Sequence, residues 1–392
     1  MNFKSFITLF GVTSTLCFGN QVPFRAIGEV FDFGPQVKEI VLNFDEPLNT
    51  KSIDKDTFKV IAVSSNSVPR KITDIKFPND KTVVLELEFG QNIKGAEILR
   101  WDEKLFSNIE IPIDYSIVQT KAIETKDGKP LSIENQKYKI SDLEVEGVEK
   151  FSSGEMFGLK YRDFKPKLDK KKHPLIIWLH GAGEGGESNA TQILGNRGGV
   201  AFVEEESQKI FDNPYVLAPQ TPTFWMKSFM VGDRELIGEK DYTPDLINLI
   251  KKYLDENPSI DRDRIYIGGC SMGGYQTFKT LVADPKIFAG AFITCPAYEP
   301  SKEELEKVKN VPIWLVHASS DTTVPVSNSR NSFKYLKSLG ADVVYTEYEE
   351  VVRDGNKYDP HGSYFYTLHN DPFSGDGTHI FQWIASKKLK NK

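Results

Sequence analysis

The 392-residue sequence is poor in cysteine, has no excess of positive charge and contains no apolar stretch long enough for a stable membrane span. Its three cysteines, Cys17, Cys270 and Cys295, are too few for a disulfide framework. Their number therefore neither supports nor excludes an oxidising compartment. Because Cys270 and Cys295 lie near predicted strand ends, we expect both to be small buried residues.

Charge and composition exclude some classes of function. The formal charge of -6 and the isoelectric point near 5.7 argue against a nucleic-acid partner. The one tight basic run, residues 170–172, is typical of a solvated loop. With 39% hydrophobic and 27% charged residues, the chain can form a sizeable core, and its length predicts two domains.

Residues 1–19 differ from the rest of the chain. A positive amino terminus precedes an apolar run that ends in small residues at Cys17 and Gly19, which predicts a signal peptide cleaved before Asn20. The run is short for an uncleaved anchor, and Leu16 is a poor neighbour for lipid modification of Cys17. We therefore expect a secreted, periplasmic or cell-surface protein.

Residues 20–120 alternate apolar and polar side chains. The alternating positions are Ile40, Leu42 and Phe44; Phe58, Val60 and Ala62; Val83, Leu85, Leu87 and Phe89; and Ile109, Ile111, Ile113 and Tyr115. Turn-rich segments separate these strands at short intervals, which predicts an all-β immunoglobulin-like sandwich. Nothing in its residues indicates chemistry, so partial cover of the site, substrate docking and a homo-oligomer contact remain alternative roles.

Residues 121–150 are polar and contain the turn 127–130, so they predict a linker. From residue 151 to 392 the pattern changes to short continuous apolar runs that alternate with helical periodicity. The runs are 174–179, 215–218, 264–267, 289–294 and 312–316. Alternating strands and helices predict an α/β domain with a mostly parallel, doubly wound sheet.

Ser271 follows one of these runs in the sequence Gly-Gly-Cys-Ser-Met-Gly-Gly and precedes an amphipathic helix. Gly269 and Gly273 give the Gly-x-Ser-x-Gly spacing, in which a sharp strand-to-helix turn exposes the serine. The bare pattern also occurs by chance, but its position between strand and helix indicates a nucleophile.

A serine nucleophile needs a base and an acid, which in this kind of fold follow it in the order acid, histidine. Asp321 lies after the buried run 312–316, so its carboxylate is expected at the carboxyl edge of the sheet. The alternative is that Asp321 only caps a turn. His361, in a loop, is the preferred base, with His369 as the alternative.

The loop from His180 to Gly186 is rich in glycine and follows a central strand, which predicts an oxyanion hole. We expect the amides of Met272 and Ala182 to donate, with Gly181 as a replacement for Ala182. The spacing fits no phosphate-binding motif, and no histidine has metal-ligand spacing. We therefore expect neither a cofactor nor a metal.

The apolar insertion 221–230 follows a strand end. Its Trp225 is predicted to line an acyl pocket, and ordinary core packing is the alternative. Only the short charged helix 301–309 separates the last two central strands, so no large lid is expected there.

Residues 151–392 resemble an α/β-hydrolase of the esterase and predicted-peptidase group. The segments that carry this resemblance are 179–184, 215–220, 257–274 and the Asp321 loop. With the β-rich module, the whole chain resembles bacterial esterases that have an amino-terminal immunoglobulin-like domain. This resemblance implies hydrolysis of short acyl esters. Peptides, acetylated or feruloylated polymers, and a non-catalytic binding role with a degenerate hydrolase domain remain alternatives.

Overall fold

The computed structural model describes residues 22–132, 137–167, 169–231 and 233–389. The predicted signal peptide, residues 1–19, lies outside the described residues. The chain divides into two compact units. One consists of residues up to Asp102 together with Asn108–Glu149, and the other of Glu103–Ser107 together with Lys150–Lys392.

The first unit is built from β-strands and short turns. Its strands, with β8 beginning at the unit boundary, are β1 (Val22–Phe31), β2 (Gly34–Asn43), β3 (Phe58–Ala62), β4 (Val68–Arg70), β5 (Ile72–Asn79), β6 (Thr82–Leu87), β7 (Leu99–Asp102), β8 (Ser107–Glu110), β9 (Tyr115–Gln119), β10 (Ile123–Glu124), β11 (Pro130–Ser132) and β12 (Lys137–Val145). Eight of them are hydrogen-bonded in the order β4-β3-β9-β12-β1-β2-β6-β5. Ile40, Leu42, Val83 and Leu85 are buried at alternate positions, so the all-β prediction is confirmed.

The prediction that residues 121–150 form a linker is wrong, because strands lie within this range. Within residues 121–150, β10 and β11 form a hairpin, and β12 pairs in parallel with β1 at the centre of the sheet. The register shifts where Ile140 and Asp142 oppose consecutive residues of β1. At this irregularity the apolar residues of the strand stand at 140, 143 and 145, which breaks the period-two pattern that would have predicted a strand.

The second unit alternates strands and helices. Its strands are β13 (Ser152–Met156), β14 (Leu159–Phe164), β15 (His173–Leu179), β16 (Tyr215–Gln220), β17 (Ser228–Val231), β18 (Arg234–Ile237), β19 (Ile260–Cys270), β20 (Gly290–Thr294), β21 (Ile313–Ala318), β22 (Val343–Tyr348), β23 (Val351–Arg353) and β24 (Asn356–Tyr358). Its helices are α1 (Thr191–Leu194), α2 (Glu205–Ile210), α3 (Thr243–Glu256), α4 (Met272–Ala283), α5 (Lys302–Val308), α6 (Ser327–Ser338), α7 (Tyr364–Leu368) and α8 (Ile380–Ala385).

The main sheet of this unit has the order β13-β14-β16-β15-β19-β20-β21-β22. All neighbours from β16 to β22 are parallel, whereas β13 and β14 pair antiparallel. Every residue of β15, β16, β20 and β21 is buried, which requires cover on both faces and confirms the doubly wound α/β prediction. The loops after these strands meet at the carboxyl edge, where this kind of sheet binds ligands.

Both cysteines of this unit, Cys270 and Cys295, are buried free thiols, as expected. In the part of the chain that the structure describes, no helix has the length and apolar character needed to cross a membrane.

Candidate active site

Ser271 stands between the end of β19 and the first residue of α4. Its backbone has φ 55° and ψ −117°, a conformation that a residue with a side chain adopts only under strain. The amide of Ser271 donates to Thr294 O at 3.0 Å, and its carbonyl accepts from Tyr275 N and Ala297 N. These bonds hold the serine in the tight turn between strand and helix.

The two flanking glycines are required because the turn packs against the end of β15. A Cβ on Gly273 would lie 2.0 Å from Leu179 O, and one on Gly269 would lie 2.7 Å from the same atom. No side chain can be accommodated at such distances without moving the main chain. The Gly-x-Ser-x-Gly spacing is therefore a packing requirement of this turn.

Asp321 follows β21 and is directed at His361. His361 Nδ1 donates to Asp321 Oδ2 at 2.8 Å. The other carboxylate oxygen accepts from Thr323 N at 2.8 Å and Val324 N at 2.9 Å. The two expectations for Asp321 are thus compatible, since one oxygen caps the turn while the other faces the histidine.

His361 lies in a short helical turn, Pro360–Ser363, whose start is fixed by a bond from His361 N to Asp359 Oδ1 at 2.8 Å. His369 instead lies at the end of α7, where its amide bonds to Phe365 O at 3.1 Å. Of these two histidines, the structure therefore places His361 beside the acid.

The electrostatics of this pair favour opposite charges. Burial by itself would raise the pKa of Asp321, but hydrogen bonds from His317 and His361 hold it well below its ordinary value. Burial would lower the pKa of His361, but Cys295 and Asp321 raise it well above its ordinary value. The pair therefore favours a carboxylate next to an imidazolium.

Sequence reasoning missed the part played by His317. This side chain is fully buried, with Nδ1 2.8 Å from Ser329 Oγ and Nε2 3.2 Å from Asp321 Oδ2. It contacts the same carboxylate oxygen as His361, whereas the turn amides bond the other oxygen. The signal available in the sequence was a histidine four residues before the acid, which alone indicates no role.

Two consecutive residues at the end of β20 contact Ser271 and His361. Thr294 accepts from the serine amide, and Cys295 Sγ lies 3.4 Å from the carbonyl of His361. Among the hydrogen bonds of the described residues, none joins Ser271 Oγ to the His361 ring. Such bonds are often long without substrate and close only in the complex.

The predicted oxyanion donors lie where strand β15 and helix α4 meet. Met272 is the first residue of α4, so its amide has no intrahelical acceptor. Ala182 begins a short helical turn that ends at Glu184. The amide of Gly181 faces the buried Glu184 carboxyl, which favours Ala182 over Gly181 as the second donor.

A buried neutral histidine anchors this loop. Thr221 N donates to His180 Nε2 at 3.2 Å, so the ring proton lies on Nδ1 and is donated to Gly181 O at 2.7 Å. Burial lowers the pKa of His180 to about 4. His180 is thereby a structural residue of the loop, as its position before the nucleophile suggests.

Glu184 is a second residue that sequence reasoning gave no role. It is buried within the glycine-rich loop, and its Oε2 has no hydrogen-bond partner among the described residues. Burial raises the pKa of Glu184 to about 7. This carboxyl, beside Cys270 and in the field of His361, therefore titrates near neutral pH.

The structure does not place Trp225 at an open pocket, so the predicted pocket-lining role is corrected in favour of core packing. Its exposed fraction is 0%, its indole packs on the His180 ring, and its Nε1 donates to His180 O at 3.0 Å. The indole N–H needs a buried acceptor, and this carbonyl supplies one. Trp225 therefore stabilises the oxyanion loop through its contacts with His180.

Residues 24–132 match the family model described as esterase Ig-like N-terminal domain, and residues 166–354 match the phospholipase/carboxylesterase model. A solved structure described as a thermostable esterase is 31% identical, with a TM-score of 0.80. The match covers 93% of this chain and 99% of that chain.

The chain belongs to the family of esterases that have an Ig-like amino-terminal domain. The esterase is a serine carboxylic ester hydrolase of the α/β-hydrolase fold with an amino-terminal Ig-like domain, as the sequence predicts.

More distant relatives share only part of the esterase. A probable inactive carboxylesterase from Oryza sativa subsp. japonica is 19% identical over 193 residues, which cover 45% of this chain and 76% of that protein. Thermogutta terrifontis esterase 2 is 16% identical, with 57% of this chain and 92% of that chain covered and a TM-score of 0.40.

Proposed function

We propose that this esterase is a secreted enzyme that hydrolyses short-chain acyl esters through an acyl-enzyme formed on Ser271. The observation that supports the route most directly is the 2.8 Å bond between His361 Nδ1 and Asp321 Oδ2. Since Nδ1 is engaged, Nε2 is the ring nitrogen left to take the serine proton.

In the first half-reaction, Ser271 Oγ attacks the ester carbonyl carbon while its proton passes to His361 Nε2. The amides of Met272 and Ala182 donate to the oxygen that becomes negative. The bond to the alcohol then breaks, and the alcohol leaves with the proton from His361. Water repeats the sequence on the acyl-enzyme and releases the acid and the free serine.

The preference for short acyl chains is supported by the small amount of chain available as a lid between β20 and β21. That interval contains one helix, α5, of seven residues. We expect a shallow site in which an extended acyl chain gains little contact, so binding energy should stop increasing beyond a few carbons.

The test is a series of nitrophenyl esters from acetate to decanoate, assayed beside peptide anilides and acetylated or feruloylated polysaccharide. The assays should be run above neutral pH, because the raised pKa of His361 keeps the base protonated at lower pH. We expect the highest kcat/KM on acetate to butyrate and none above the Ser271→Ala background on peptides. Faster turnover of peptides or polymer esters would replace the proposed substrate class.

Export is supported by the composition of residues 1–19 alone. Expression of the full chain in a bacterial host, followed by fractionation and amino-terminal sequencing, should give a mature protein that begins at Asn20. A cytoplasmic protein that keeps its first 19 residues would contradict export. Size-exclusion chromatography of the same material tests the expected homo-oligomer.

A further inference from the structure

Cys295 is a nucleophilic side chain that the proposed mechanism does not use. It is buried as a free thiol directly after β20, and its amide donates to Val316 O at 2.8 Å. Its φ of 37° lies in the left-handed region, which is unusual for a residue with a side chain. This conformation directs Sγ to within 3.4 Å of the carbonyl oxygen of His361.

Three different metal ligands meet at this point. Cys295 Sγ, a carboxylate oxygen of Asp321 and a ring nitrogen of His361 all lie within 4.8 Å of one another. In a tetrahedral zinc site, bond lengths of about 2.0 to 2.3 Å place neighbouring ligand atoms about 3.5 Å apart. The three atoms therefore need to shift by only about 1 Å to share one ion.

Hydrogen bonds hold the main chain or the side chain of each of the three ligand residues in place. Asp321 is oriented by two turn amides, the start of the His361 turn is bonded to Asp359, and Cys295 is bonded to the neighbouring strand. Ligands that are already oriented lose little conformational freedom when they bind an ion. A thiolate and an imidazole together favour a soft or borderline cation over Mg²⁺ or Ca²⁺.

We propose that Zn²⁺ or Cd²⁺ binds to Cys295, His361 and Asp321 and switches the esterase off. Binding releases the proton of the Cys295 thiol and the proton of the His361 ring nitrogen that binds the ion, because the ligands are thiolate and neutral imidazole. In a metal-bound neutral His361 ring, one nitrogen is on the ion and the other carries the ring proton, so His361 cannot accept the proton of Ser271. The site is inhibitory and takes no part in ester hydrolysis. Spacing along the sequence does not reveal it, because its ligands come from three separate loops.

The first test measures binding without activity, so that it stays independent of the proposed substrate class. Full-length protein is titrated with Cd²⁺ in the absence of chelator, and the ultraviolet absorption of the cadmium-thiolate bond is recorded beside equilibrium dialysis. We expect one ion per chain, with Cys295→Ser abolishing the thiolate absorption and weakening binding at least about tenfold. Cys270→Ser is the matched control, since Cys270 is also buried but outside the cluster.

A second variant separates a chelate from a lone reactive thiol. His361→Ala keeps Cys295 and should still weaken Cd²⁺ binding at least about tenfold. In wild-type protein, Zn²⁺ should abolish esterase activity, chelator should restore it, and Mg²⁺ should have no effect. Failure to bind Cd²⁺, unchanged binding by Cys295→Ser, or unchanged binding by His361→Ala would each overturn the site.

Discussion

His180 and His361 lie in two loops at the carboxyl edge of the same sheet, and their pKa values shift in opposite directions. His180 forms its hydrogen bonds with uncharged groups, so burial lowers its pKa to about 4. His361 meets the Asp321 carboxylate and the Cys295 thiol, which raise its pKa despite burial. Burial therefore decides the charge of a histidine only where no charged or ionisable partner opposes it.

The loops that contain these two histidines differ in charge as well. In the oxyanion loop, His180 is a neutral buried ring, the pKa of the buried Glu184 is raised, and Trp225 of the insertion 221–230 packs against the loop. In the acid and base loops, Asp321 and His361 are held as a charge pair. Substitutions in the first loop should affect stability more than the chemical step, and substitutions in the second should do the reverse.

The largest effect is expected at the base. His361→Ala should lower kcat about 10⁵- to 10⁶-fold, because the serine then has no proton acceptor. His369→Ala is the control and should keep kcat within a few-fold of wild type. Steady-state kinetics on a nitrophenyl ester measures both, and a large loss with His369→Ala instead would exchange the roles of the two histidines.

Asp321→Asn should lower kcat about 10⁴-fold. An amide cannot stabilise the imidazolium, and its NH₂ group would favour the wrong ring tautomer. Asp359→Asn, which keeps an oxygen for the His361 amide, serves as the control and should change kcat only slightly. Equal losses in the two variants would indicate that loop position matters and the charge pair does not.

Glu184→Gln tests the raised pKa of the buried carboxyl in the oxyanion loop through the pH dependence of folding stability. The folded pKa of Glu184, about 7, exceeds its ordinary value of 4.5, so wild-type protein loses stability as pH rises between these values. The variant should be more stable than wild type by up to about 3 kcal/mol at pH 8 and no more stable at pH 4. Thermal unfolding at both pH values measures this, with Glu187→Gln, an exposed carboxyl of the same loop, as control.

A stability difference for Glu184→Gln that does not depend on pH would mean that the wild-type carboxyl does not titrate as described. A pH-dependent gain in stability for Glu187→Gln as large as that for Glu184→Gln would assign the pH dependence to the overall charge of the loop.

The smallest effect is expected for Trp225→Phe. Removing the indole N–H leaves the buried carbonyl of His180 without its donor, which should cost about 1 to 3 kcal/mol of folding free energy. The acyl-chain profile should not change, because the ring is buried. Denaturant unfolding and the nitrophenyl ester series measure the two, and a shifted chain-length optimum would restore the pocket-lining role.

The parts of the site that follow from local rules could be predicted from the sequence. Strand, turn and helix around Ser271 are encoded in adjacent residues, and parallel strands bring Asp321 and the serine to one edge. The order of serine, acid and histidine then restricts the base to a few candidates. The choice of His361 over His369 needed the structure, because two loop positions close in sequence differ in which one faces the acid.

Contacts between residues far apart in sequence could not be predicted. The indole of Trp225 donates to a carbonyl 45 residues earlier, and Cys295 lies against a histidine 66 residues later. Strand β12 was hidden because a bulge changes which of its residues face inward. In each case the partner that determines the environment is absent from the local pattern.

Covalent labelling of the folded, full-length protein with a fluorophosphonate, followed by peptide mass mapping, tests the Ser271–His361–Asp321 site most directly. We expect one label per chain on Ser271, formed at a rate that falls at least about 10³-fold in His361→Ala. No labelling of folded protein, or a label on a residue other than Ser271, would contradict the assignment of Ser271 as the nucleophile.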